Sequence, residues 1–385
     1  MKRILVVCEV FISPDGNKTV SRSFNSILKE YKKHFDRIDV IGPCEKNISC
    51  SEGELEGMFF WGTELYSKKI KDRIAYLASV SKSRKFFNTV LAESQPDIIQ
   101  FRIPSVFSFV AYAHLKSSGA ILTSYISGEW YSSFISNYNF LGNKVVAKAL
   151  DYKQLDIIKN TISVSAGPEV GEIYKKHNTI YPYFSTTHQK VSYVEKSNDV
   201  INLIFLGRLE GLKRVEDGIA ALSILVNKYG MDNVVLNLYG DGKNRNILEQ
   251  QVLALELEDK VKFHGYVNDV NVLNEAYSKA QFLIFPSVSE GTPKVLAEAM
   301  SFGVIPVAVG STGSIRHIIE NKSNGILVEA YSPEEIADEV FKTFDSPSTL
   351  QAMRNSCYTY AEKHTLENEV ARMWEYIFSN IEDGK

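Results

Sequence analysis

The chain reads as an α/β protein of two doubly wound domains. Three observations carry this. Short apolar runs alternate with helical patterns throughout, as expected of parallel sheets with helices on both faces. The length of 385 residues exceeds the ~250 residues that one hydrophobic core usually serves. A polar stretch without periodicity, Thr186 to Asp199, divides the chain. We therefore expect a first domain over 1–185, a second over 200–362, and a terminal helical segment over 363–385.

In the first half the expected strands are RILVV, RIDVIG, DIIQF, AILTSYI and NTISVS. In the second half they are INLIFLG, NVVLNLYG, KVKFHG, QFLIFP, VIPVAV and GILV. Between them, KRVEDGIAALSILVNKYG puts Val215, Ile219, Leu222 and Val226 at helical spacing and stops at Gly230, a residue that accepts the left-handed C-terminal conformation. SPEEIADEVFKTF opens with Ser332 as N-cap, Pro333 in the first helical position and Glu335 in capping-box register. The last stretch, Ser348 to Asp383, is helical by composition.

Hydrophobic residues make up 44% of the chain and charged residues 23%, which excludes disordered and fibrous classes. A net charge of −3 gives no overall drive toward nucleic acid. No run approaches the ~18 apolar residues that span a bilayer, and Glu9 interrupts the first apolar run, which lacks a small-residue cleavage site. The cysteines, Cys8, Cys44, Cys50 and Cys357, are scattered without a CxxC or Cys/His cluster. A reduced, cytoplasmic protein with neither metal nor cofactor is expected.

Open parallel sheets bind ligands beyond the C-terminal ends of their strands, so the loops after the second-half strands are the candidate site. In SEGTPKVLAEAMSFGVIPV, Thr292 is the expected N-cap and Pro293 the first residue of a short helix, so its free N–H groups face a ligand beside Glu290. Glu298 borders the apolar stripe of Val295, Leu296, Ala299 and Phe302. A half-buried carboxylate there needs donors, such as sugar or ribose hydroxyls. The alternative is a solvated helix edge with Glu290 as a turn residue. After INLIFLG, Gly207 is followed by Arg208 and Lys213, a fork and a point charge suited to a diphosphate. The alternative is a local Arg208 to Glu210 pair with Lys213 exposed. Gly240 and Gly242 flank Asp241 directly after another strand, allowing backbone to approach a ligand. His264, alone after the next strand, reads as structural.

GRLEGLK, LYGDG, VKFHGYV and PSVSEGTPKVLAEAMSFGVIPV, in this order and spacing, resemble the donor-binding half of the retaining family 4 glycosyltransferases (glycosyl transferases group 1). The resemblance covers about Asn202 to Glu339 and is weaker before it. It implies the GT-B architecture: two facing Rossmann-like domains with a cleft between them, the first for the acceptor and the second for the donor, and a C-terminal helix crossing back to the first. It also implies that Arg208 and Lys213 hold the donor diphosphate and that Glu298 accepts bonds from the ribose. Glu290 would read the transferred sugar, with Thr292, Pro293, Lys294 and Val295 offering backbone to sugar and phosphate. Tyr266 and Val267 would meet the base. The donor would be UDP- or GDP-linked, and the acceptor a glycan or lipid-linked glycan.

The N-terminal half departs from the family. The loop after the first strand has Gly16 alone where a Gly-Gly pair is common, and SYISGEWYSS offers Gly128 and Glu129 where a histidine is common. Glu129 stands for that histidine or serves the acceptor side. No Asp-x-Asp pair occurs, which favours cationic over metal neutralisation of the phosphates. Residues 67–87 hold Lys68, Lys69, Lys71, Arg73, Lys82, Arg84 and Lys85 interleaved with apolar residues. They form either an anionic-membrane contact at the inner face of the plasma membrane or a solvated surface helix. Two other functions stand as alternatives: a nucleotide-sugar epimerase on the same architecture, against which the family-type donor motifs speak, and a non-catalytic nucleotide-sugar-binding relative that retains the fold.

Overall fold

The computed structural model describes residues 2–9, 22–44, 48–52, 56–63, 80–137, 142–197, 199–311 and 313–384. Gly16 and the basic stretch as far as residue 79 lie outside them. The chain forms two compact units, one of Met1–Phe184 with Glu367–Lys385, the other Ser185–Leu366.

The first unit is built on β1 (Arg3–Val7), β2 (Arg37–Pro43), β3 (Ile48–Glu52), β4 (Met58–Thr63), β5 (Ile98–Ile103), β6 (Ile121–Ile126), β7 (Ile162–Ala166) and β8 (Ile180–Tyr183). Their order is β3-β4-β2-β1-β5-β6-β7-β8. Pairing is parallel except where β3 runs antiparallel to β4 at the edge. Ile4, Leu5, Val6 and Val7 are all fully buried, because a parallel strand covered on both faces is apolar at successive positions rather than alternate ones. The sequence reading missed β3, β4 and β8. Polar Ser49, Ser51 and Glu52 hid β3, and Pro182 hid β8 in the position where proline is tolerated, an edge strand.

The second unit is built on β9 (Ile201–Leu206), β10 (Val234–Tyr239), β11 (Val261–Gly265), β12 (Ala280–Phe285), β13 (Ile305–Val309) and β14 (Ile326–Val328), all parallel, in the order β11-β10-β9-β12-β13-β14. The winding reverses between β9 and β12, and the crevice at such a reversal is where open α/β sheets take ligands. The helix Val215–Asn227 buries Val215, Ile219 and Leu222, and Gly230 closes it at φ +66°. The expected capping box is not formed. Pro333 does open the helix Pro333–Phe344, but Ser332 makes no side-chain cap and Glu335 accepts instead from the Glu329 N–H at 2.7 Å. The backbone N–H that directly follows β14 has taken the carboxylate.

The segment read as a patternless boundary is extended and pinned to the second unit. His188 Nε2 donates to the Ala361 carbonyl at 2.8 Å, and the His188 carbonyl accepts from the Leu366 N–H at 3.0 Å. Lys196 Nζ donates to the Tyr277 carbonyl at 2.8 Å, at the C-terminal end of the helix Val270–Lys279 where a cation is favoured. Such side-chain-to-backbone ties replace secondary structure, so no periodicity betrays them.

Among the described residues no helix is long and apolar enough to cross a membrane. Cys8, Cys44 and Cys357 are buried. The C-terminal helical stretch breaks at His364–Thr365 into Pro347–Lys363 and Leu366–Glu382. In the second of these, Trp374 is fully buried and meets Tyr31 and Phe35 edge-on at ring separations of 5.0 and 4.7 Å. Trp374→Ala should lower the stability of the first unit by about 3–5 kcal/mol, read as an earlier urea midpoint. An unchanged midpoint would show that the C-terminal helix does not complete that core.

Candidate functional site

Three loops at the C-terminal ends of β9, β10 and β11 are stitched together through their backbones. Gly207 N–H donates to Tyr239 at 3.0 Å, Leu209 N–H to Asp241 at 3.0 Å, and Gly240 N–H to Gly265 at 2.8 Å. Only glycine permits this. A Cβ on Gly240, whose φ is +146°, would lie 1.8 Å from the Gly207 carbonyl oxygen, and one on Gly242 would lie 2.4 Å from that of Leu209. The close approach seen at Gly240 and Gly242 is of loop against loop, where the sequence suggested backbone against a ligand.

These loops wall a cavity of about 450 Å³ lined by Leu206, Gly207, Arg208, Tyr239, Gly240, Asp241, Tyr266, Val267, Leu273, Val295 and Glu298. The structure thus brings together Gly207, Arg208, Gly240, Tyr266, Val267, Val295 and Glu298 from the sequence-derived set. Tyr266 is 77% exposed, an aromatic face left uncovered at the rim. Leu206, Tyr239 and Leu273 were missed, since each is indistinguishable from a core residue in sequence.

Arg208 is exposed and pairs with Glu210 at 3.1 Å, the local pairing weighed above. An exposed pair of this kind contributes only about 0–1 kcal/mol, so the guanidinium is readily released to a stronger anion. Lys213 is not exposed. Its Nζ lies 2.5 Å from Glu290 Oε1, with side-chain exposures of 18% and 11%, so two predicted site residues meet as a nearly buried ion pair. Its loop, Gly211–Lys213, is held by the Val288 N–H donating to the Leu212 carbonyl at 3.0 Å and by Ser287 Oγ donating to it at 3.2 Å. This joins the loops after β9 and β12 across the point where the sheet reverses.

The Glu290 loop has a second support absent from the sequence reading. A Cβ on Gly313, at φ +51°, would lie 2.3 Å from the Glu290 carbonyl oxygen, and the Ser314 N–H donates to Gly291 at 3.0 Å. The helix that follows spans Lys294–Met300, with Pro293 in the cap position at ψ 106°. It therefore starts one residue later than expected, with Pro293 rather than Thr292 at its cap, because Pro293 remains extended. Thr292 Oγ1 instead donates to Ser314 Oγ at 3.4 Å.

Glu298 is half-buried. Thr187 Oγ1 donates to its Oε1, and the buried Tyr277 hydroxyl donates to Oε2 at 3.3 Å. Burial foremost, then the Glu298 charge, drives the Tyr277 pKa well up, so the phenol stays protonated as a donor. His264 is structural. Its Nε2 bonds Asn237 Oδ1 at 2.9 Å, its ring stacks on Tyr239, and burial foremost with Lys262 pushes its pKa down.

In the first unit, Glu129 lies between β6 and the helix Trp130–Asn137. Burial first and the Glu129 charge second push the Asp151 carboxyl up.

Lys213→Met should strand the Glu290 charge and cost up to about 3 kcal/mol, and Glu290→Gln in the same chain should recover part of the loss. Additive losses in urea unfolding would show that the two side chains are not coupled.

Residues 188–364 match the family model described as glycosyl transferases group 1. An uncharacterized glycosyltransferase of Haemophilus influenzae is 25% identical over 246 residues, 63% of this chain and 67% of that one. The lipopolysaccharide 1,6-galactosyltransferase of Escherichia coli is 27% identical over 165 residues, 42% of this chain and 44% of that one. The crystal structure of HepE from Anabaena in complex with UDP superposes with a TM-score of 0.67 at 16% identity, covering 98% of this chain and 100% of that one. Residues 188–364 are thus similar to the glycosyl transferases group 1 family, and the chain has the two-unit α/β fold of the GT-B glycosyltransferases.

Proposed function

We propose that this protein is a retaining glycosyltransferase. It would move a sugar from a UDP- or GDP-linked donor to a glycan or lipid-linked acceptor in the synthesis of cell-surface polysaccharide. The observation that carries this is the cavity at the winding reversal, whose lining includes a cation in Arg208, a carboxylate in Glu298 and the exposed aromatic Tyr266. These are complementary to a diphosphate, a ribose and a base. HepE is solved with UDP, and an E. coli relative is a lipopolysaccharide galactosyltransferase.

On donor binding, Arg208 leaves Glu210 for the diphosphate. Lys213 is shared between phosphate and Glu290, whose remaining lone pairs accept from sugar hydroxyls. Both cations, Lys213 nearly buried and Arg208 exposed, oppose the negative charge that grows on the leaving diphosphate as the anomeric C–O bond breaks. The acceptor oxygen forms the new bond on the same face, and its proton passes to a departing phosphate oxygen. Glu290 binds rather than attacks, since its carboxylate is already committed to Lys213. The two-carboxylate scheme of glycoside hydrolases is not invoked. With the phosphates met by cationic side chains, no metal is needed.

The test is product analysis with chelator present. Sugar transfer from one nucleotide-sugar series should proceed with retention at the anomeric carbon by proton NMR, and Arg208→Ala should lower turnover by 10²-fold or more, roughly the loss of one such donor. An inverted product would refute the retaining mechanism, and conversion of the donor without any acceptor would point to the epimerase.

A further inference from the structure

Glu298, which lines the cavity, is held by two residues that no motif marks. Thr187 and Tyr277 come from the segment entering the second unit and from the helix Val270–Lys279, and they take one oxygen each of the Glu298 carboxylate. We infer that Thr187 and Tyr277 are positioning residues that fix the plane of the Glu298 carboxylate so that its outward lone pairs receive the ribose hydroxyls. This inference rests on the donor-binding role proposed above.

A carboxylate has about four lone-pair sites. Two donors from behind leave the forward pair for a ligand and stop the group rotating about its last torsion, which is otherwise broad. Neither donor can drift. Tyr277 is 3% exposed and its ring stacks on Phe302 at 5.6 Å. Thr187 lies between two anchored neighbours, since Thr186 Oγ1 bonds His188 Nδ1 at 2.6 Å while His188 Nε2 holds the Ala361 carbonyl. Glu298 itself is carried on a helix whose Leu296, Ala297, Ala299 and Met300 are buried. Val295 and the Tyr266–Val267 turn, which line the same cavity, supply no charge to hold the carboxylate in their place, and the one cation there, Arg208, is paired with Glu210. Thr187 also makes the chain entering this unit a direct part of the donor site.

The test uses the full chain and two probes, the tighter-binding of UDP and GDP and its 2′,3′-dideoxy counterpart, by isothermal titration. The wild type should prefer the ribonucleotide. Thr187→Val and Tyr277→Phe should each weaken the ribonucleotide by about tenfold, the scale of one hydrogen bond to a charged group, and leave the dideoxynucleotide nearly unchanged, so that discrimination collapses. Thr187→Ser, which keeps the hydroxyl, should restore it. A merely structural role would weaken both probes alike and leave their ratio at the wild-type value, which would overturn the inference while the donor site stands. A wild type that binds neither nucleotide, or binds both sugars equally, would overturn the ribose role of Glu298 and the inference with it.

Discussion

The site depends on how closely two backbones can pass. Gly240 and Gly242 let the loop after β10 cross the loop after β9 at a separation no Cβ would permit, and the backbone bonds from Gly207, Leu209 and Gly240 then lock three loops into one wall. Arg208 lies inside that stitching and Tyr266 immediately follows it, so the direction in which each faces the cavity is set by main chain. Side chains on rigid backbone lose less freedom when a ligand arrives, which is the general advantage of building a site in advance.

On this wall, charges are held in two different ways. The Lys213–Glu290 pair is nearly dry and bridges the loops after β9 and β12, so it ties the two sides of the winding reversal together as well as presenting charge. A pair of that kind keeps its geometry because breaking it leaves an uncompensated charge. Arg208, wet and paired only with Glu210, is free to move at small cost. One cation is thus fixed and the other mobile, a division that suits a diphosphate which must be bound and then released. Glu298 is held by neutral hydroxyl donors instead, those of Thr187 and Tyr277.

Much of this was legible in sequence, and the rest fails for identifiable reasons. The second-unit strands announced themselves as apolar runs ending in Gly207, Gly240 or Gly265, and the spacing from Glu290 to Glu298 carried the family resemblance. The strands β3 and β8 were hidden by serines and a proline that an edge position tolerates. Ser332 and Glu335 looked like a capping box, yet the backbone N–H of Glu329 captured the carboxylate. Thr187 sat in a stretch without periodicity, and Tyr277 looked like any aromatic on a helix. Both acquire meaning only through contacts to Glu298, separated from them by 111 and 21 residues. Such long-range polar pairs leave no local pattern to read.

The most direct measurement is thermal unfolding of the full chain, without added metal, against UDP, GDP and their sugars, for the wild type and Glu298→Gln. A ligand near 100 times its dissociation constant stabilises by about 2.7 kcal/mol, so one nucleotide series should raise the wild-type midpoint by several degrees and the variant's by clearly less. If no nucleotide raises the wild-type midpoint, the cavity at the β9–β12 reversal is not a donor site.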